Sequence, residues 1–125
     1  MQKLIFSVAL GLFGLGLVGI GCFPGNKVPY HGMFSLLTFT MGAMAEMLSS
    51  LVAASPFKFA GMACGAVALA TLLTAIFRSE MAFAFIGDGG TERWVAYTIV
   101  LWTTGFGGYL MNAAIEKTPL PDKQP

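Results

Sequence analysis

HGMFSLLTFTMGAMAEMLSSLVAA, residues 31–54, carries one acidic or basic residue besides its opening histidine: Glu46. A helix crossing the hydrocarbon core of a bilayer needs roughly 20 apolar residues, and this stretch is long enough. Its polar and small residues are not scattered. At about 100° per residue, His31, Ser35, Thr38, Gly42, Glu46 and Ser49 fall within a face roughly 80° wide. Phe34, Leu36, Leu37, Met44 and Leu48 lie mostly outside it. Polar side chains in a membrane segment turn away from lipid, so this face is expected to line the interior of a bundle. Glu46 is its costliest member. A lone carboxylate at the bilayer centre costs several kcal/mol, which leads us to expect a neutral glutamic acid bonded to a Ser or Thr across the bundle, or a group that handles a proton or a substrate.

The rest of the chain reads the same way. Of 125 residues, 56% are hydrophobic and only 10% are charged, with mean hydropathy +0.75. Soluble domains carry about 25% charged residues, so the bilayer is the better solvent for this chain. Apolar segments are expected at about 4–22, 31–54, 57–78 and 92–115. Pro24, Pro29, Pro56 and the pair Gly89–Gly90 mark the gaps, where helices must stop. Short gaps make consecutive helices antiparallel neighbours. The expectation is an all-α integral membrane protein: a single domain over 1–116 with four transmembrane helices in an up-and-down bundle, followed by a short polar tail over 117–125.

The first segment resembles a secretory leader, with a basic start and small residues before Cys22. Gly19 stands three residues before that cysteine, where a lipoprotein leader prefers Leu, and the apolar run is long for a signal core. It is therefore read as a retained helix. Orientation follows the distribution of Lys and Arg. Lys3, Lys58, Lys117 and Lys123 gather on one side, against Lys27, Arg78 and Arg93 on the other. The expected location is the cell membrane, multi-pass, with both termini cytoplasmic.

Small residues are needed where helices approach closely in lipid. Gly11, Gly14 and Gly21 in the first helix, Gly61, Gly65 and Ala68 in the third, and Gly105, Gly107 and Gly108 in the fourth are the expected contacts. Cys22 and Cys64 lie in apolar runs without metal-type spacing and read as packing residues. Trp94, Tyr97 and Trp102 read as interfacial anchors or packing.

The outer gaps collect the remaining polar groups. In GDGGTERW, residues 87–94, Thr91 is positioned to cap the fourth helix and Glu92 to favour its N-terminal dipole. Arg93 opposes that dipole and so calls for an acid, Glu80 or Asp88, or for an anionic ligand; glycines before a helix start suit phosphate or carboxylate. The candidate ligand-binding set is His31, Arg78, Glu92, Arg93 and Tyr97; the intramembrane polar set is Ser35, Thr38 and Glu46. A net charge of +1 without a basic patch gives no reason to expect nucleic acid as a partner, and a single histidine gives none to expect a histidine metal cluster. No cofactor motif occurs. The expected partners are the bilayer and either further copies of the chain or a larger membrane complex.

With GCFPG (21–25), HGMFSLLTF (31–39) and GDGGTERWVAYTIVLWTTGFGGYL (87–110) in view, the chain resembles the domain of unknown function 998 family of small prokaryotic polytopic membrane proteins. The likeness spans roughly residues 5–112 and implies family positions at Phe23, Pro24, His31, Gly32, Glu92, Arg93, Tyr97 and Trp102. Members carry about six helices and this chain has room for four; Glu46 is not among the positions assigned to the family pattern. The family has no assigned activity. Three functions are therefore in view: a non-enzymatic binder of a small anionic or lipid-headgroup ligand, or an accessory subunit; a lipid-modifying enzyme with His31 and Glu92 as acid and base; or a proton-coupled transport element using Glu46.

Overall fold

The structure, a computed structural model, describes residues 1–77 and 79–117; for residues 79, 81–83, 85, 86 and 88 it describes the backbone alone. Helix α1 spans Gln2–Cys22, α2 Val28–Leu48, α3 Phe57–Phe77 and α4 Ser79–Lys117, and a 3₁₀ turn at Ser49–Leu51 extends α2. The four helices pack up and down. Gln2–Cys22, Val28–Leu51 and Phe57–Phe77 are each long and apolar enough to cross a membrane, which marks a multi-pass membrane protein. The outer surface agrees with a lipid solvent: Leu4, Val18, Phe77 and Leu101 are all more than 60% exposed.

Helix α2 begins at Val28, ahead of the expected His31, because Pro29 sits in its first turn, where a missing N–H costs nothing. The larger difference lies in α4. Residues 79–91, expected as a loop leading to a helix at 92, are helical apart from Gly87, which sits at φ 68°, ψ 170°. The glycines cost the helix about 1 kcal/mol each, yet only one of them breaks it. Thr91 is consequently not a cap. It lies inside α4, 3% exposed, and its Oγ1 donates to the Gly87 carbonyl at 3.1 Å.

Three contacts position the helices. Between α1 and α2, Gly16 lies against Thr38 and Gly19 beneath the Phe34 ring, so closely that a methyl group at either position would overlap its neighbour. Between α2 and α3, Gly61 faces Ser49 and the Glu46 carbonyl, Gly65 faces Met47 and the Ala43 carbonyl, and Ala68 is fully buried. At the centre, Gly42 of α2 receives Ile99 of α4 and Phe13 of α1. The α3 glycines are the expected ones. In α1 the expected Gly11, Gly14 and Gly21 face open space, as do Gly107 and Gly108 in α4, whereas Gly105 meets Phe57. The buried face of α4 is Thr91, Val95, Ile99, Trp102 and Phe106, spaced four, four, three and four residues apart as one side of a helix requires.

Candidate functional site

The α2 stripe turns inward. Thr38, Gly42, Glu46 and Ser49 are buried, and His31 and Ser35 half-buried. The hydrogen bonds are not those expected. Ser49 Oγ donates to the backbone carbonyl of Glu46 at 2.5 Å and accepts from Trp102 Nε1 at 3.2 Å. Thr38 Oγ1 donates back to the Phe34 carbonyl at 2.7 Å. The Glu46 side chain is fully buried, and neither of its carboxyl oxygens has a hydrogen-bond partner. Hydroxyls within a helix reach the carbonyl one turn back more readily than a neighbouring chain, and that competition leaves Glu46 unserved.

At the other end of α2, His31 Nδ1 lies 2.8 Å from the Phe23 carbonyl. The ring nitrogen therefore donates there, and the imidazole pins the α1–α2 connection. Phe23 stacks on Phe34 at 5.5 Å and lies 5.2 Å from Tyr30, which closes this corner. Among the described residues, His31 forms neither a hydrogen bond nor an ion pair with Glu92 or Arg93, so no direct bond joins the two parts of the expected acid–base pair. Arg78 lies outside the described residues, and of Asp88 only the backbone is described.

Glu92, Arg93 and Tyr97 are exposed. Arg93 and Tyr97 border a groove of ≈ 560 Å³ lined, among the described residues, by Gly90, Arg93, Trp94, Tyr97, Thr98 and Leu101. These positions advance by three and one along α4 and form a single helix face. The face is graded: the Arg93 guanidinium lies toward Gly90, the Trp94 indole and Tyr97 phenol follow, and Leu101 closes the apolar end. The Thr98 hydroxyl is committed to the Val95 carbonyl at 2.8 Å, which leaves Arg93, Tyr97 and the Trp94 indole N–H as polar groups of the groove among the described residues. No carboxylate among the described residues pairs with Arg93. The three aromatic residues divide between the two expected roles. Trp94 and Tyr97 are 55% and 65% exposed, whereas Trp102 is 2% exposed and stacks on Phe106 at 5.1 Å.

Among the described residues, no three His, Cys, Asp or Glu side chains gather as a metal site. Cys22 is exposed and Cys64 half-buried, both as free thiols. One polar contact had no signal in the sequence: the Tyr109 hydroxyl accepts the Ala54 N–H at 2.9 Å, joining α4 to the α2–α3 connection.

Fold and site together define a helical, multi-pass membrane protein with a buried polar column in α2 and a graded groove along α4. No protein-family model, curated protein or solved structure matches the chain.

Proposed function

We propose that the chain is a non-enzymatic binder of an anionic lipid headgroup or similar small anion, acting alone or as an accessory subunit, with Arg93 holding the charge. One observation carries the reading: Arg93 borders the α4 groove with no carboxylate among the described residues to neutralise it. The grading from guanidinium to indole to leucine matches an amphiphile whose charge sits at the membrane surface and whose chain runs inward. Helix α4 is the fourth span in this reading. From Gly87 to Lys117 it extends roughly 45 Å at about 1.5 Å per residue, more than the hydrocarbon core of about 30 Å. The groove then lies on the extracytoplasmic side, with both termini cytoplasmic, as the placement of Lys3, Lys58 and Lys117 favours.

The test is lipid retention by the purified protein, comparing phosphatidylglycerol with phosphatidylcholine at the groove. Loss of one charge-assisted contact corresponds to about 1.5–3 kcal/mol, so Arg93→Ala should weaken anionic binding there by roughly 10- to 100-fold. Binding unchanged by Arg93→Ala overturns the reading.

A second reading has its own observation, the two unpartnered oxygens of Glu46. A carboxyl group held in the bundle interior without a structural partner suits a proton-coupled transport element. That role requires Glu46→Gln to abolish proton-coupled flux in vesicles while leaving the fold intact.

A further inference from the structure

Helices α1 and α4 meet at the Lys3–Lys117 end of the bundle through aromatic rings. Phe6 stands edge-on to Phe106 at 5.3 Å and to Trp102 at 6.5 Å. Above these rings the two helices leave a cleft of ≈ 370 Å³, bordered by Lys3 and Ser7 from α1 and by Tyr109 and Lys117 from α4. Small-ligand clefts fall at about 300–1,000 Å³. Phe6 and Phe106 are buried and form its apolar floor, while both lysines are exposed.

Among the described residues, the two charges that border the cleft are both positive and no acid lines it. Glu116, next to Lys117 in the chain, accepts a hydrogen bond from Asn112 Nδ2 at 2.9 Å. Lys58 is occupied elsewhere, with its ammonium 4.9 Å from the centre of the Phe59 ring. The Tyr109 oxygen accepts from Ala54, and its own hydrogen has no acceptor among the described residues, which leaves one more donor beside the two ammonium groups. Lys3 lies in the first turn of α1 and Lys117 closes α4, so both stand at helix ends, at the level where a bundle meets lipid headgroups. Basic pockets between membrane helices select anionic headgroups.

We propose that this cleft holds one anionic phospholipid, with its phosphate between Lys3 and Lys117 and an acyl chain along the Phe6–Phe106 floor. The site is separate from the Arg93 groove: roughly 36 Å of helix lies between Arg93 and Lys117 at about 1.5 Å per residue. The two sites therefore address opposite leaflets. The pairing of like charges across a gap, with apolar rings beneath, is a geometry that a phosphodiester with attached hydrocarbon fills and a free inorganic anion does not.

The two tryptophans of the chain make a site-specific test available. In a Trp94→Phe background the remaining indole, Trp102, stacks on Phe106 of the cleft floor. The protein is placed in phosphatidylcholine vesicles containing increasing fractions of phosphatidylglycerol brominated along its acyl chains, and Trp102 quenching is followed. Quenching should saturate at a low mole fraction of the anionic lipid, and brominated phosphatidylcholine should not reproduce this. Each lysine near a headgroup is worth about fivefold in affinity, so K3Q/K117Q should shift saturation about 25-fold, whereas Lys58→Gln should leave it in place. Ala113→Phe, which fills the cleft, keeps both charges and adds no second indole, should abolish saturable quenching. Equal quenching by both lipids, or an unchanged curve for K3Q/K117Q or for Ala113→Phe, overturns the proposal. So does saturation that emerges only when residues 118–125 are removed, since the chain's own tail would then be the occupant. Failure of the Arg93 reading leaves this signal intact, because that groove lies at the far end of α4.

Discussion

The Trp102 indole donates to the Ser49 hydroxyl across 3.2 Å, and that hydroxyl passes its own hydrogen to the Glu46 carbonyl. One side chain of α4 is thereby connected through α2's last turn to the point where Gly61 of α3 comes closest. Three helices converge on a single serine oxygen. Both partners are buried, Ser49 fully and Trp102 to 2% exposure, so no solvent is available to replace either bond.

Trp102→Phe removes the donor and part of the ring stack with Phe106 while keeping an aromatic ring. Loss of a buried hydrogen bond and of ring volume together should cost about 2 kcal/mol, read as a lower midpoint of thermal unfolding in detergent. Ser49→Ala should cost a similar amount, and the double variant should cost less than the sum of the two. Strict additivity would show that the two side chains do not act through each other.

Glycine replacements should divide sharply by position. Gly16→Ala and Gly65→Ala place a methyl group against Thr38 and against Met47 and the Ala43 carbonyl, forcing helices apart where packing is the main attraction. Each should cost about 1–3 kcal/mol. Gly14→Ala and Gly107→Ala meet nothing within 4 Å and should be neutral, or stabilising by up to about 1 kcal/mol through helix propensity. Equal effects at Gly14 and Gly16 would contradict the α1–α2 contact.

The same glycines show what the sequence can and cannot reveal. The α2 stripe is legible because polar and apolar residues alternate around that helix, so its inward side is written in chemistry. The α3 contact is legible because Gly61, Gly65 and Ala68 recur on one face with bulkier residues elsewhere. In α1 the residues after Lys3 are almost uniformly apolar, and glycines occur on several sides. Nothing in their polarity distinguishes Gly14 from Gly16, and the neighbouring helices decide. The Gly89–Gly90 pair overstated the break before α4, since local propensity yields to packing once Thr91 and Val95 are buried. The candidate site was legible only in part. Arg93 and Tyr97 are one turn apart, so their shared groove follows from spacing. Lys3 and Lys117 lie at opposite ends of the chain and meet only through the bundle's topology. His31 was recognisable as unusual, but its partner, the Phe23 carbonyl, is a backbone atom that no side-chain pattern announces.

Glu46 yields a prediction of unusual sign. A buried polar group without a partner destabilises its fold, and an apolar replacement of similar shape relieves that cost. Glu46→Leu should therefore raise the stability of the isolated chain by about 1–3 kcal/mol, measured by thermal unfolding in detergent. Glu46→Gln retains a polar group and should gain less. A loss of stability on Glu46→Leu would show that the carboxyl has a partner, such as another copy of the chain or a bound molecule.

Gly87 sits at φ 68° and ψ 170°, a backbone region open essentially to glycine alone. A side chain there would meet no atom within 4 Å, so any cost of substitution arises from the backbone itself. Gly87→Ala should destabilise by about 1–3 kcal/mol or drive α4 to straighten through residue 87. The two responses separate in a distance measurement between spin labels at Glu80 and Val100, both outside the buried face of α4. Strain held in place leaves that distance unchanged and lowers the unfolding midpoint, whereas straightening lengthens it and spares the midpoint. Gly89→Ala, with no positive φ and equally open surroundings, should do neither. If Gly87→Ala were as harmless as Gly89→Ala in both measurements, the kink would not be a property of the native backbone.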